Sequence, residues 1–553
     1  MADAAVSAAR RSRAAWAVMG MILLFFLLAG LAGVNRQTDI DKLDTGRYLN
    51  VALGIRENGG ILTFPWQCVT LRYREDVQQP LFHLLLAPAA GRELGFFVRA
   101  KLVTLLTGLA ALVACFVVGR RMAGGSDPAS GEPAAVVACL LLALSPDFLD
   151  HATFPACEPL FIAWLLLAWG AGLRWLKGET RGWSAGVFAG LAYMTKGTGL
   201  LLPPLFLLGA LWKRLGRKAP ARVHGFLIAF ALVASPILAR NVAGFGNPFH
   251  DPNSACLWVD RWEDAEEAMA AGARPALWSY LRGHSAADIA RRVAAGGAGV
   301  VASLVGRSLA VGPFSAAGIV LGGVVLALAL AGIVTDRDRV RRGWTAGLLV
   351  ALLLPTVWYF PVVYGSRFTL IVAPVLMTCA GMKAAGLLDS VAARWRRVPR
   401  GFAVKAAGVV CAALIAAQVA SPETWRNPAR SLRLDPGFAE LRAWLEARLP
   451  QGGRYAHGPS HSYNFSWNSP KRIAAVALPP VRDAAELTAW MREQGLRFLV
   501  LDAQTVERRR ELFGLAGLGG GAGRLRIPPG WTVAWRWGAE GGAMVLEAPG
   551  GGA

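Results

Sequence analysis

The strongest constraint on this chain is a series of about eleven apolar stretches, separated by loops rich in Arg and Lys on alternate sides. The first, Ala14 to Val34, is 21 residues long and carries no charge. At about 1.5 Å of rise per residue, a helix of that length crosses a hydrocarbon core of roughly 30 Å. Inside such a core every backbone N–H and C=O must be satisfied within the segment, so each stretch reads as a helix. The chain is 54% hydrophobic and 17% charged, which fits a polytopic membrane protein and excludes an ordinary soluble one.

The net charge is +22, but the cations cluster at segment ends. That placement follows the positive-inside pattern and points to anionic lipid heads rather than nucleic acid as the counter-charge. The basic front (Arg10, Arg11, Arg13) puts the N-terminus in the cytoplasm of a plasma (inner) membrane, and the long first stretch reads as a retained anchor. The expected spans run 14–34, 98–119, 134–149, 154–173, a hairpin over 183–212 holding two, then 223–239, 311–334, 345–360, 369–388 and 404–420. Two long outer loops follow, at about 35–97 and 241–310. Within the second, Asp288 to Val305 reads as an amphipathic helix on the membrane surface. The expected fold is thus a polytopic α-helical membrane domain of about eleven transmembrane helices over residues 1–420. A small extracytoplasmic α/β domain with Gly-rich segments follows over 421–553. In that domain Phe438–Arg448 and Ala484–Gln494 read as helices and Arg497–Asp502 as a buried strand.

Seven cysteines show no CxxC or Cys/His spacing of a metal site. The outer set of Cys68, Cys157 and Cys256 leaves room for one disulfide. His457, His461 and Asn464 read as polar loop groups. Phe64-Pro65-Trp66 and Trp358-Tyr359-Phe360 read first as an interfacial aromatic belt and second as sugar- or lipid-binding surfaces.

Five charged groups sit where a merely structural membrane protein would not need them, and three of them are cations on the wrong side for orientation. Asp44 opens a helical run after the acidic loop bearing Asp39 and Asp41, where it either caps that helix or acts as a general base. Glu158 sits between the third and fourth stretches, Lys196 at the tip of the hairpin, Arg240 after the seventh stretch and Arg367 before the tenth. Three cations converging with two carboxylates at one face point to a shared site for an anionic ligand.

These segments resemble the GT-C type glycosyltransferases of the protein O-mannosyltransferase and aminoarabinose-transferase group, over about residues 14–420. The parts that carry the resemblance are DTGRYLNVA, SPDFLDHATFPACEPLF, AGVFAGLAYMTKGTGLLLPPL, SPILARNVAGFGNPF and YGSRFTLIVAPVL, in that order. It implies transfer of a sugar from a polyprenyl-phosphate carrier to an acceptor hydroxyl of a lipid, glycan or protein at the outer face. It implies Asp44 and Glu158 as catalytic carboxylates. Arg47, Tyr48, Lys196, Arg240, Tyr364 and Arg367 are implied on the lipid phosphate and sugar. Two departures stand out: Thr45 where the group often has a second acid, and Gln78-Gln79-Pro80 where one branch has a Lys. No metal ligand set can be named, and whether a divalent metal takes part is left open. The competing readings are a transporter for a polyprenyl-linked sugar, which calls for inverted repeats that the sequence lacks, and a non-catalytic envelope-binding relative.

Overall fold

The computed structural model describes residues 2–38, 40, 44–125, 128–215, 223–262, 264–265, 268, 275–312, 315–363, 365–394, 402–425, 436–457, 466–479, 481–501, 506, 512, 527–537 and 544–549. Asp39, Asp41, Tyr364, His461 and Asn464 lie outside them. The chain folds into a helical membrane domain followed by a small mixed sheet.

Helix α1 (Ala2–Arg36) contains the uncharged first stretch. Its last-turn carbonyls are met by Lys101 of helix α5 (Gly95–Gly124), whose Nζ donates to Val34 O at 3.0 Å and Gln37 O at 2.8 Å. A fully buried cation at a helix C-terminus satisfies orphan carbonyls and opposes the negative end of the dipole. Between these helices the first long loop folds into three helices: α2 (Thr45–Glu57), α3 (Phe64–Val69) and α4 (Pro80–Leu86).

Helix α6 (Glu132–Ala143) is only 12 residues long. It stops because Pro146 forces Ser145 into an extended conformation, with ψ 117°. Ser145 then caps the next helix, α7 (Pro146–His151), accepting from Phe148 N at 3.3 Å. The third expected span is therefore two helices with a break between. Helix α8 (Glu158–Leu176) follows. The hairpin reads as helix α9 (Trp183–Thr195), a 3-10 turn Gly197–Leu201, and helix α10 (Leu202–Leu215). Gly199 is required in that turn, since a Cβ there would collide with the Tyr193 and Ala192 backbone. Helix α11 (Val223–Phe245) contains Pro236, which cannot donate to the Leu232 carbonyl; the Ser235 hydroxyl takes that carbonyl instead at 2.9 Å.

Among the described residues, six helices are long and apolar enough to cross a membrane: Ser12–Arg36, Gly95–Gly124, Glu158–Leu176, Val223–Phe245, Ala286–Ser308 and Ala316–Val334. The expected number was eleven. The other expected spans are helical but shorter or more charged: α6, α9 and α10 have 12, 13 and 14 residues, and Arg339–Tyr359 opens on three arginines. The helices Ala373–Arg394 and Phe402–Ala420 complete the set. Ala286–Ser308, expected on the membrane surface, meets the length and composition of a span. Within it Arg292 is buried and donates to the carbonyls of Val259, Leu257 and Trp358. Among the described residues no disulfide joins Cys68, Cys157 and Cys256, and all three are buried.

The C-terminal sheet has the order β2-β1-β3-β5-β4. Strand β1 (Arg454–His457) pairs in parallel with β2 (Ala474–Ala477) and β3 (Phe498–Leu501). Strand β5 (Met544–Glu547) runs antiparallel between β3 and β4 (Thr532–Arg536). Both faces are buried, so β3 reads as a continuous apolar run. Leu499 and Leu501 face the helix Ala484–Glu493 through Leu487 and Met491. Phe498 and Val500 face the other way, into a cluster with Leu441 and Leu445 of the helix Pro436–Arg448. That cluster also holds Trp467, Phe96, and Leu49 and Leu53 of α2. Trp467 is fully buried, edge-on to Phe96 at 5.8 Å, and Asn468 donates to Arg92 O at 3.0 Å. The sheet domain is thereby fixed to the loop that begins at Asp44.

Trp467→Ala should loosen that junction at a cost of about 3–5 kcal/mol, the usual loss for a buried aromatic. The check is limited proteolysis of the detergent-solubilised protein: cleavage between 421 and 466 should accelerate. Cleavage unchanged from wild type would mean the domain is held by other contacts.

Candidate functional site

Asp44 occupies the N-cap position of α2 yet makes no capping hydrogen bond. Its Oδ2 instead accepts from Arg367 Nη1 at 2.9 Å, across 323 residues of sequence. Arg367 begins a one-turn helix, Arg367–Leu370, just before the helix Ala373–Arg394. The Asp44 side chain thus does not serve as the helix cap, and its carboxylate is spent on an ion pair.

Glu158 is the first residue of α8 and is 3% exposed. Its Oε1 accepts from Lys196 Nζ at 2.6 Å. Lys196 ends α9 in an extended conformation, φ −152° and ψ 136°, which turns its side chain from the helix axis toward α8. A carboxylate at a helix N-terminus is further favoured by the exposed N–H groups there. The two ion pairs belong to one electrostatic field, because Arg367 is attracted by both Asp44 and Glu158.

A second acidic centre lies in the first long loop. Glu75 takes Arg47 on both carboxylate oxygens, with Nε 2.9 Å from Oε2 and Nη2 2.8 Å from Oε1. Its Oε1 also accepts the backbone N–H groups of Val77 and Gln78 at 2.9 Å each. Burial pushes the Glu75 carboxyl up, but the charge and hydrogen bonds of Arg47 outweigh that and hold it below the usual carboxylate range. The Glu75 carbonyl accepts from Arg240 Nη1 at 2.6 Å.

Arg240 is 1% exposed and lies beside the rings of Phe245 and Tyr73, at 5.4 and 5.9 Å. Its Nε and Nη2 have no hydrogen-bond partner among the described residues. Those two nitrogens form the edge of the guanidinium that grips a phosphate or carboxylate in a two-point fork. Nearby buried atoms share the condition: Gln79 Oε1, Tyr193 OH and Asn241 Oδ1. A buried polar atom left alone costs about 1–3 kcal/mol, so a cluster of them at helix ends is the mark of a ligand site.

The structure thus brings together Asp44, Arg47, Glu158, Lys196, Arg240 and Arg367. Tyr48 is buried beside them, its ring edge-on to Phe82 at 4.9 Å and its hydroxyl within the electrostatic reach of Cys157, Glu158, Asp44 and Arg367, and Tyr364 lies outside the described residues. Of the aromatic stretches, Phe64 is buried against Tyr73, Trp66 is exposed, and Trp358 covers Arg292 at 4.5 Å. Among the described residues no group of three or more His, Cys, Asp or Glu side chains converges as metal ligands would.

Sequence reasoning missed Glu75, His83 and Asp251. Glu75-Asp76 stood in plain view as an acidic pair in a basic loop. Asp251 lies against Gly197, beside Lys196, and burial pushes its carboxyl up. His83 is fully buried in α4, its Nε2 donating to Gln78 Oε1 at 3.1 Å and its Nδ1 accepting from Tyr73 OH at 3.4 Å, as one neutral tautomer allows. Burial lowers it to about 4.

The sequence profile of the dolichyl-phosphate-mannose-protein mannosyltransferase family matches residues 95–239. Searched by sequence, curated proteins give no match. Among solved structures, ArnT from Cupriavidus metallidurans bound to undecaprenyl phosphate is similar with a TM-score of 0.54 and 14% identity, covering 96% of this chain and 98% of that one. The same protein in the apo state gives 0.53 at 14% identity and the same coverage. An oligosaccharyltransferase from Archaeoglobus fulgidus gives 0.50 at 14% identity, over 87% of this chain and 70% of that one. At these identities the likeness establishes the fold, and it is the GT-C type membrane fold with a small C-terminal sheet domain.

His83 sets a pH limit on this site. The unfolded chain takes up a proton near pH 6.5 that the folded chain refuses until about 4. Stability is therefore full above pH 6.5 and falls as pH drops through that window, by at most about 1.4 kcal/mol per unit. Thermal unfolding in detergent from pH 7 to 4.5 measures it; His83→Gln should flatten the slope. Glu75, being lowered, adds its own loss only below pH 4.5. An identical slope in wild type and His83→Gln would remove His83 as the cause.

Proposed function

We propose that this chain is an inverting glycosyltransferase that moves a sugar from a polyprenyl-phosphate carrier to an acceptor hydroxyl at the outer face of the plasma membrane. The observation that carries the reading is the open fork of Arg240. A fully buried guanidinium, fixed by one nitrogen to the Glu75 carbonyl with its phosphate-binding edge unpaired among the described residues, is built for an anion. The GT-C fold, and the undecaprenyl phosphate bound by the similar ArnT, make a lipid-linked phosphate the fitting anion. In this reading the six-residue constellation opens to the lipid, with the N-terminus cytoplasmic and the sheet domain outside.

The sugar's anomeric carbon carries a phosphate ester that leaves with its bonding electron pair. Arg240, Lys196 and Arg367 stand where that charge grows, and preplaced cations stabilise the transition state more than the ground state. Asp44 takes the proton of the attacking hydroxyl as the new C–O bond forms and the bond from the anomeric carbon to the phosphate oxygen breaks. Arg367 holds the Asp44 carboxylate in one orientation until the phosphate competes for its guanidinium. Glu158 orients Lys196. Attack opposite the departing phosphate inverts the anomeric centre. Because Glu158 begins α8 and Lys196 ends α9, the charges lie at helix ends, as a site reached from the membrane surface needs. In this reading Gln79, Tyr193, Asn241 and Asp251 are the polar groups left to contact the sugar and the acceptor.

The test supplies membranes containing the protein with a series of radiolabelled polyprenyl-phosphate pentoses and hexoses and follows the label. Transfer to any lipid, glycan or protein supports the reading. No transfer from the series, with no binding of undecaprenyl phosphate by the purified protein, overturns it. With an active donor in hand, Asp44→Asn should lower turnover by roughly 10²–10⁴ while donor affinity holds; near-normal turnover would reject Asp44 as the base. Arg240→Lys keeps the charge but loses the fork, and should weaken donor binding at least about ten-fold. Unchanged affinity would move the phosphate elsewhere.

A further inference from the structure

One buried carboxylate takes no part in the site as described. Asp147 in α7 is 1% exposed, and among the described residues no Lys or Arg pairs with it. Its Oδ1 accepts from the Ser366 hydroxyl at 2.6 Å and its Oδ2 from the Ser308 hydroxyl at 3.0 Å. His151 Nδ1 is 3.6 Å from Oδ1 and donates to the Asp147 carbonyl at 2.9 Å. Burying a carboxylate on two hydroxyls is costly, and packing alone would be served by an apolar side chain. The placement has to be explained by what Asp147 holds.

It holds the backbone on both sides of the two ion pairs. Ser366 immediately precedes Arg367, whose guanidinium meets Asp44. The Thr369 hydroxyl accepts from Ser303 at 2.8 Å and gives its one proton either to the Ser366 carbonyl at 3.0 Å or to the Ser308 hydroxyl at 2.8 Å, since Ser308 gives its own to Asp147. Ser308 closes a π-helical turn, Leu304–Ser308, sealed by Leu309 N to Leu304 O at 2.7 Å. Such a turn unwinds the helix by one residue and re-aims its side chains, here bringing Ser308 onto Asp147. On the other side, α7 runs directly into the segment that ends at Glu158, the partner of Lys196.

We propose that Asp147 is a positioning residue: through Ser366 it fixes Arg367 against Asp44, and through α7 it fixes the distance from that pair to Glu158–Lys196. The consequence for catalysis rests on the donor reading above; the positioning itself does not. The experiment therefore has two readouts on the full-length protein in nanodiscs. The first is the rate at which phenylglyoxal modifies Arg367, followed by peptide mass spectrometry. Asp147→Ala and Ser366→Ala should each raise it about five-fold as the Asp44 pair loosens, whereas Ser366→Thr, which keeps the hydroxyl, should stay within about two-fold of wild type. The second is binding of undecaprenyl phosphate, read by tryptophan fluorescence, which should weaken about ten-fold in the two alanine variants at unchanged Tm. Unchanged modification rates in both alanine variants overturn the proposal. Raised rates with unchanged lipid affinity restrict Asp147 to packing and overturn its role in the site. A wild-type protein that does not bind the lipid rejects the donor reading, and the modification rates still decide the positioning. If Asp147→Ala does not fold, Ser366→Ala decides alone.

Discussion

Charge cannot be left unpaired where water is scarce, and this protein is organised around that constraint. Its apolar helices expel ionisable groups to their ends, where the groups meet each other. Asp44 finds Arg367 across most of the domain, Glu158 finds Lys196 on the next helix, and Glu75 finds Arg47 within the first long loop. Each contact joins two elements that apolar packing alone would leave free to slide. The ion pairs thus fix the relative positions of α2, α8, α9 and the turn before the helix Ala373–Arg394.

Arg240 is the exception, and in the proposed function it is the group that meets the phosphate. Its neighbours satisfy one nitrogen and cover the rest of the group with aromatic rings. A cation held this way costs the folded state free energy that an anion would return on binding. The same logic covers Gln79, Tyr193 and Asn241, whose unpartnered atoms adjoin it.

The C-terminal sheet domain extends this support. Its two faces are buried differently: one against its own helix, the other through Leu441, Leu445 and Trp467 onto α2 and Phe96. Since α2 starts at Asp44, the domain braces the element that carries the proposed base. An acceptor bound by the domain would be delivered beside that carboxylate.

The amino-acid sequence by itself determined the helical membrane fold, because a run of apolar residues long enough for a bilayer has one way to satisfy its backbone. It also marked Asp44, Glu158, Lys196, Arg240 and Arg367 as charges at the ends of apolar stretches, a local feature that needs no knowledge of the fold. Strand β3 and the helices Pro436–Arg448 and Ala484–Glu493 were legible for the same reason: periodicity is local. The break of the third stretch at Ser145-Pro146 and the burial of Arg292 were not, because both depend on partners elsewhere in the chain. Which carboxylate meets which cation, why Asp44 is no helix cap, and how Glu75 and Asp147 anchor the groups around them were decided only by tertiary structure. An ion pair is a matter of distance in space, and sequence spacing carries no record of a contact 323 residues away.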